Sequence, residues 1–250
     1  MDGDADIASL AAVIGDRARA RVLLALADGR ALAASVLAAE ARVSASTISG
    51  HLKKLVDANL LIVEPHGRHR YYRLAGPRVA RLLETLAEHA KPAPVTSLRE
   101  GTRANALRDG RYCYDHLGGR LGVAIMRGLL DRRALAGGDG RFHPDQANRD
   151  RLSAPGNDVD YHLTDTGEDW VRQFGIDLDT LSARRRRLIR YCTDWSEQRH
   201  HLAGALGAAI ADRLLAQHWI EPAASGRAIH LTDTGRHGLH ETLGIEIQQA

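Results

Sequence analysis

The sequence contains only two cysteines and two phenylalanines in 250 residues. Two thiols cannot form a disulfide scaffold, and they are too few for a four-cysteine zinc site. The longest apolar runs fall far short of the roughly 20 residues that a membrane span needs, and the acidic first residues do not resemble a signal peptide. We therefore expect a cytoplasmic protein that is neither secreted nor inserted into a membrane, with its thiols reduced.

A large excess of either charge is also missing, because the formal net charge is only +3. Its distribution is more informative than its size. Residues 1–97 carry 13 Lys and Arg against 10 Asp and Glu, whereas residues 98–250 carry 21 of each. Within the first part, the segment from Arg42 to Arg73 has six basic and two acidic residues. This segment is the candidate for a surface that faces nucleic-acid phosphates.

The apolar spacing in the first part predicts a defined order of elements. Two short helices join near Gly15, a third follows over residues 32–41, and a fourth begins at Ser44, whose side chain can cap it. Residues 60–74 are typical of a β-hairpin with a tight turn at His66-Gly67, and a last helix ends near Ala90. Two prolines then indicate a stiff linker over residues 91–97. The predicted order is helix, helix, helix-turn-helix, wing and helix.

One stretch within this order resembles the ArsR/SmtB family of winged-helix repressors. It reads Val43-Ser44-x-Ser46-Thr47-Ile48-Ser49-x-His51-Leu52-x-x-Leu55-x-x-Ala58-x-Leu60. The resemblance covers about residues 5–90. It implies a homodimer built from the first and last helices of the domain, a recognition helix in the major groove of a double-stranded DNA operator, and a ligand that changes operator affinity. The known metal sites of the family do not carry over, because the third helix has no cysteine and the last helix offers only His89.

The basic segment and this resemblance place the predicted DNA contacts on the fourth helix and the wing. Short side chains on the first turns let the backbone approach DNA, and their hydroxyls reach bases or phosphates; simple helix capping is the alternative. Basic side chains further along the fourth helix are expected to contact phosphate, although helical spacing turns one of His51, Lys53 and Lys54 inward. Those of the wing tip are expected to enter a minor groove or contact the DNA backbone, and a merely solvated hairpin is the alternative. The predicted DNA-binding residues are Ser44, Ser46, Thr47, Ser49, Gly50, His51, Lys53, Lys54, Arg68, His69 and Arg70.

The second part contains an internal duplication. Tyr112-Cys113-x-Asp115 returns as Tyr191-Cys192-x-Asp194, and Leu117-x-Gly119-x-Leu121-Gly122 returns as Leu202-x-Gly204-x-Leu206-Gly207. Each copy is predicted to contain a helix, a polar hairpin and a helix capped by Thr164 or Thr232. The predicted fold is mainly α with small β-hairpin wings. Its domains are a winged helix-turn-helix over residues 1–90, a linker over 91–97, and two degenerate winged-helix-like repeats within 98–250, at about 111–178 and 190–247.

The duplication places the two cysteines at equivalent positions, and duplicated halves often pack about an approximate twofold axis. We therefore expect Cys113 and Cys192 to meet at a seam, with His116 nearby and Trp195 on the same helical face as Cys192. Such a set could hold a soft metal ion or form a reversible disulfide. The alternative is that both thiols only pack in the core. The aromatic residues of this part could line a pocket for a small organic effector or could form the core itself.

Two further motifs have simpler interpretations. The glycines at 118, 119, 122, 204 and 207 follow no predicted strand, so close helix packing is favoured over a phosphate loop. The basic run Arg184–Arg187 is predicted to be a solvated or salt-bridged helix. No nucleophile with an ordered base is recognisable in residues 98–250, so a non-enzymatic protein is expected. The sequence favours a sequence-specific DNA-binding repressor controlled through its second domain; an enzyme, or a ligand-free DNA-architectural protein, carrying a winged helix is the alternative.

Overall fold

The computed structural model describes residues 4–27, 29–66, 69–91, 98–143, 159–183, 185–223 and 227–247. The chain divides into two compact units, Met1–Leu83 and Glu84–Ala250. This division falls within the helix that precedes the expected linker, and residues 92–97 of that linker lie outside the described residues. None of the described helices has the length and apolar character needed to span a membrane.

The amino-terminal unit has the predicted order of elements. Its helices and strands are α1 (Ile7–Ile14), α2 (Arg17–Ala25), β1 (Leu32–Ala33), α3 (Ala34–Ala41), α4 (Ala45–Asp57), β2 (Leu61–His66), β3 (His69–Leu74) and α5 (Pro77–His89), the last of which continues past Leu83. The sheet order is β1-β3-β2, and all its pairs are antiparallel. Leu32, which was expected to begin the third helix, instead pairs with Tyr72 as part of β1.

Helix α4 shows why this sequence forms a helix-turn-helix. Ser44 caps the helix by accepting a hydrogen bond from the backbone N–H of Thr47 at 3.2 Å. Ile48, Leu52 and Leu55 then recur at helical spacing, and all three are buried. Because this stripe packs toward α2 and α3, the opposite side of α4 faces outward.

The carboxy-terminal unit repeats one order of elements, hairpin, helix, hairpin and helix. The first copy contains β4 (Arg111–Cys113), β5 (His116–Gly118), α7 (Gly119–Asp131), β6 (Leu135–Ala136), β7 (His162–Leu163) and α8 (Asp165–Gln173), preceded by α6 (Leu98–Asp109) and followed by α9 (Leu178–Ser182). The second contains β8 (Arg190–Thr193), β9 (His200–Ala203), α10 (Gly204–Ala216), β10 (Ile220–Pro222), β11 (Ile229–Leu231) and α11 (Asp233–Leu243). The predicted mainly α fold with small hairpins is confirmed, whereas the likeness of each copy to a winged helix stays a prediction.

The predicted hairpin-to-helix steps near Thr164 and Thr232 are present, and both threonines cap the helix that follows. The first hairpin of each copy, β4–β5 and β8–β9, was not expected. Cys192 therefore lies on a strand, and Trp195 lies in the turn after it. The expectation that Trp195 and Cys192 share a helical face is wrong.

The glycines at the start of the long helices allow close packing, although their neighbours differ from those expected. A Cβ on Gly122 would lie 2.2 Å from the carbonyl oxygen of Leu117, and one on Gly207 would lie 2.6 Å from that of Leu202. Each long helix also packs against the hairpin of the other copy, α7 against β9 and α10 against β5. The close contacts are therefore between helix and hairpin.

The start of α7 is not a phosphate loop, and the reason is a hydrogen bond to Asp194, not the absence of a preceding strand. Gly118 ends strand β5, so the expectation that no strand precedes these glycines is wrong. However, the backbone N–H of Gly119 donates to Asp194 Oδ2 at 2.6 Å. A buried carboxylate therefore already occupies the helix N-terminus where a phosphate would bind.

The basic run near residue 185 is not helical in its described part. Residues 185–187 follow α9 in irregular chain, and Arg184 lies outside the described residues. Arg186 forms a bidentate pair with Asp115, with Nη2 at 3.0 Å from Oδ1. The salt-bridge interpretation of this run therefore holds at Arg186, whereas the helical one is wrong.

Candidate functional site

The outward side of α4 carries the predicted DNA-contacting residues of its first turns. Ser46, Thr47, Ser49 and Gly50 are all exposed. The Ser44 Oγ atom lies 2.8 Å from Ser46 Oγ and 2.9 Å from Thr47 Oγ1, so these hydroxyls form a local cluster around the cap. A Cβ on Gly50 would meet no atom within 4 Å, so the backbone there is open to a large partner.

The three basic positions further along α4 differ in exposure. Lys53 is 75% exposed, with its Nζ atom 2.8 Å from Asp57 Oδ2, and Lys54 is exposed. His51 is the half-buried member of the three, with Nδ1 at 3.7 Å from Asp16 Oδ1. The two lysines therefore offer positive charge to a partner, while His51 faces its own unit.

The wing is described except at its tip. Arg70 is exposed on β3, and Arg73 pairs with Glu64 across the hairpin. Arg68 lies outside the described residues. Of His69, the structure describes the backbone pairing with His66.

A second site lies in the carboxy-terminal unit, where two cysteines and two histidines meet. We name Cys113, His116, Cys192 and His201 the Cys/His cluster. One ligand atom from each residue lies within 4.8 Å of the other three. Cys113 pairs with His116 across β4–β5, and Cys192 pairs with His201 across β8–β9. Each copy of the repeat therefore contributes one cysteine and one histidine.

The cluster is enclosed and its atoms are oriented toward one another. His116 Nε2 lies 3.6 Å from Cys192 Sγ, and the rings of His116 and His201 are 5.3 Å apart. Cys113 is 2% exposed and His201 is fully buried, whereas Cys192 is half-buried. Both thiols are free, so the sulfur atoms face each other without a disulfide.

An aspartate stands behind each histidine at the same distance. Asp115 Oδ1 lies 3.3 Å from His116 Nδ1, and Asp194 Oδ2 lies 3.3 Å from His201 Nδ1. The second contact lacks hydrogen-bond alignment, so neither ring nitrogen of His201 has a hydrogen-bond partner among the described residues. In both copies, a carboxylate therefore faces the Nδ1 atom of the histidine.

The surroundings of the cluster raise the pKa of Cys113 and of His201, so both side chains hold their protons more strongly. A hydrogen bond with Cys192, together with burial, raises the pKa of Cys113 to about 12. Burial alone would lower the pKa of His201, but Asp194 and Cys113 outweigh burial and raise that pKa to about 9. A cation that binds here must therefore displace protons.

A buried ionic network supports the second hairpin. Asp194 is fully buried and accepts a hydrogen bond from Arg111 Nη2 at 2.9 Å. Trp195, which was predicted as an effector residue, covers the Arg111 guanidinium at 4.5 Å from its ring centroid. The structure thus brings Cys113, His116 and Cys192 together and gives Trp195 a contact with the supporting arginine.

His201 was not predicted as a member of the site. Its signal was present, since His116 directly precedes Leu117 and His201 directly precedes the matching Leu202. Extending that part of the duplication by one position pairs the two histidines. The stretches that contain the cysteines are related by a shorter offset along the chain, so no single offset reveals the complete set.

The seam between the two copies, where a pocket for a small organic effector was expected, contains a small cavity. The cavity between the copies measures about 10 Å³ and is lined by apolar residues such as Leu117, Ile125 and Ile210. That space suits one water molecule. Most of the aromatic side chains belong to the core or pack against it, and Trp170 stacks on Phe174 there with centroids 4.9 Å apart.

Comparisons with known proteins relate both parts of the chain to transcriptional regulators. A helix-turn-helix domain family matches residues 14–64. YdfF of Bacillus subtilis strain 168, described as an uncharacterized HTH-type transcriptional regulator, is 36% identical over 242 residues, which are 97% of this chain and 99% of YdfF. Among solved structures, the cadmium sensor CMTR from Mycobacterium tuberculosis is 30% identical with a TM-score of 0.30, covering 37% of this chain and all of CMTR. NolR from Sinorhizobium fredii is 24% identical with a TM-score of 0.32, covering 37% of this chain and all of NolR.

Proposed function

The chain belongs to the HTH-type transcriptional regulators that include YdfF, with an ArsR/SmtB-like winged helix as its amino-terminal unit, and from this premise we propose that it is a cytoplasmic repressor that binds a DNA operator as a homodimer. The observation that carries the proposal is the division of α4 into two faces. Ile48, Leu52 and Leu55 are buried, while the polar side of the helix is exposed. A helix held in this way can enter a major groove without disturbing its own core.

Different residues on this surface have different roles in the proposal. Lys53, Lys54 and Arg70 contact phosphates, together with Arg68 and His69 at the wing tip, and His51 supports α4 from its inner side. Phosphate contacts supply affinity that falls with salt. Ser46 and Thr47 read base edges with Ser49 beside them, Gly50 allows close approach, and Ser44 fixes the start of the helix. Base contacts supply about 1–3 kcal/mol of discrimination each.

The proposed dimer is supported by the unusual exposure of α1. This helix reads Ile-Ala-Ser-Leu-Ala-Ala-Val-Ile, and none of its residues is buried. Ile7 is 73% exposed, and Leu86 on α5 is 44% exposed. Apolar helices exposed in this way are stabilised by a partner chain, and a twofold dimer presents two recognition helices to successive major grooves.

The test is the salt dependence of DNA binding, measured by fluorescence anisotropy with a duplex selected from a random pool. The variants Lys53→Gln, Lys54→Gln and Arg70→Gln should each weaken binding and reduce the slope of log affinity against log salt by about one. Arg127→Gln is the matched control, since Arg127 is 53% exposed but lies on α7. An unchanged slope in all three variants would refute the assignment of this surface.

We propose further that operator affinity is controlled by chemistry at Cys113, His116 and Cys192, with Trp195 supporting the network beside them. Supporting this, the duplicated hairpins bring the two thiols together in an enclosed place. A ligand that binds one packing of the hairpins better than another shifts the equilibrium between them. The expected coupling is about 1–3 kcal/mol, or 5- to 150-fold in operator affinity. Cys113→Ser and Cys192→Ser should both abolish that response, and a response unchanged in both would contradict this control.

A further inference from the structure

We propose that Cys113, His116, Cys192 and His201 bind one divalent ion of the Zn²⁺ class per chain, in a tetrahedral site made of four protein ligands. The proposal concerns metal binding, which does not require that the chain bind DNA. The further claim that this metal ion regulates DNA binding rests on the proposed function.

The donor atoms select the class of metal. Two thiolates and two imidazoles are ligands for borderline and soft ions such as Zn²⁺, whereas Ca²⁺ and Mg²⁺ require oxygen ligands. The carboxylates of Asp115 and Asp194 contact the Nδ1 atoms of the two histidines. They are therefore outer partners of the histidines and add no oxygen ligand to the set of two sulfur and two nitrogen donors.

The distances are close to those of a tetrahedral site. With metal–sulfur bonds of about 2.3 Å and metal–nitrogen bonds of about 2.0–2.1 Å, neighbouring ligand atoms in a tetrahedral site lie about 3.3–3.8 Å apart. His116 Nε2 and Cys192 Sγ already lie 3.6 Å apart. The whole set lies within 4.8 Å, so the remaining gaps close by movements of at most about 1–1.5 Å.

His201 provides an independent observation that points to a ligand. The side chain is fully buried, and its Nε2 atom has no hydrogen-bond partner among the described residues. An unpaired buried polar atom is costly, and few native groups are left so. A metal ion beside the two thiols would satisfy that nitrogen.

The aspartates supply the outer contacts that metal-binding histidines need. A carboxylate at Nδ1 fixes the ring so that Nε2 faces the metal. His116 with Asp115 and His201 with Asp194 show this arrangement once in each copy of the repeat. Arg186 and Arg111 in turn pair with the two carboxylates, which holds them in place.

The composition of the site also indicates what the metal does. Four protein ligands leave no open position for substrate, so the site is of the closed type. The ion would join hairpin β4–β5 of one copy to hairpin β8–β9 of the other. Because a ligand that binds only the folded unit stabilises it, metal occupancy would fix one packing of the two copies.

The experiment uses the full chain, stripped with a chelator under a thiol-free reductant and then titrated with Co²⁺. We expect an end point at one ion per chain, with the intense visible bands of tetrahedral cobalt and a thiolate charge-transfer band, all removed by added Zn²⁺. His201→Gln should weaken Co²⁺ binding by more than about 100-fold, the upper end for loss of an outer partner. The positioning residue Asp115 is tested by Asp115→Asn, which should weaken binding by about 10- to 100-fold while the tetrahedral bands remain.

The matched control is His200→Gln, since His200 is also a buried histidine on β9 but bonds to the Tyr161 hydroxyl at 2.8 Å. This variant should bind Co²⁺ as the unchanged chain does. Circular dichroism checks that each variant is folded, and titration of the unchanged chain against a coloured chelator gives the affinity if a ligand variant does not fold.

Three results would overturn the proposal. One is the absence of tetrahedral bands in reduced, folded chain, and another is equal Co²⁺ affinity in folded His201→Gln. The third is freshly purified chain that carries no metal and is lighter by two hydrogens, which would indicate a disulfide between Cys113 and Cys192. Operator binding is measured separately by anisotropy, so a failed metal site and a failed DNA-binding function give distinguishable results.

Discussion

Replacing Gly122 with alanine tests the close packing of α7 against strand β5 of the same copy of the repeat. The new methyl group would lie 2.2 Å from the carbonyl oxygen of Leu117, so the backbone must move by about 1 Å to relieve the contact. Helix propensity gains about 1 kcal/mol from the change, and overpacking costs typically about 1–3 kcal/mol. Because the obstacle is backbone, we take the upper end, which gives a net loss of about 2 kcal/mol.

The assay is thermal unfolding followed by tryptophan fluorescence. All three tryptophans, Trp170, Trp195 and Trp219, lie in the carboxy-terminal unit, so their signal reports that unit. A loss of about 2 kcal/mol should lower Tm by about 4–8 °C for a unit of this size. Gly50→Ala is the matched control, because its methyl group meets nothing within 4 Å and it lies in the other unit. An unchanged or raised Tm in Gly122→Ala would refute the packing argument.

Three further changes have defined outcomes. Ser44→Ala removes the cap of α4 and should cost about 1 kcal/mol in circular-dichroism melting of the amino-terminal unit, which Ser44→Asp should restore; equal melting of both would remove the capping role. Glu84→Ala removes the carboxylate that pairs with buried Arg227, whose Nη1 lies 2.7 Å from Oε1, and should cost about 3–5 kcal/mol in tryptophan-detected unfolding. Burial alone would raise the pKa of Glu84, but its arginine partners outweigh burial and lower that pKa. The stability that the Glu84 carboxylate contributes is therefore present above about pH 4.3 and is lost as the pH falls further. A Glu84→Ala variant that is as acid-sensitive as the unchanged chain would contradict this. Ile7→Asp should give monomers in sedimentation where Leu215→Asp, also at an exposed apolar position, does not; a dimer in both would move the interface away from α1.

The amino-terminal unit could be predicted because its signals are long and local. Helix α4 shows three apolar residues at helical spacing after a capping serine, and the wing has two six-residue strands. Such patterns determine element type without knowledge of distant contacts. The misplacement of Leu32 has the opposite cause, since a two-residue strand is defined only by its partner on β3.

The hairpins that carry the Cys/His cluster could not be predicted from local pattern. Strands β4 and β5 have three residues each, too few to show alternation. Their turn places Tyr114 at a φ of 63°, a conformation that sequence analysis expects of glycine or asparagine. In the second copy, residues 194–199 separate the strands, so His201 is far in sequence from Cys192. Only the pairing of strands brings these two residues together.

Selection of bound duplexes from a random DNA pool, followed by sequencing, tests the DNA-binding claim most directly. If the chain is a dimeric winged-helix regulator, the enriched sequences should contain two inverted half-sites whose centres lie about 10 base pairs, or a multiple of one helical turn, apart. The Lys54→Gln variant should enrich the same motif with lower yield, because it loses a phosphate contact and no base contact. No enrichment by folded, full-length chain, or enrichment of sequences without inverted symmetry, would contradict the account.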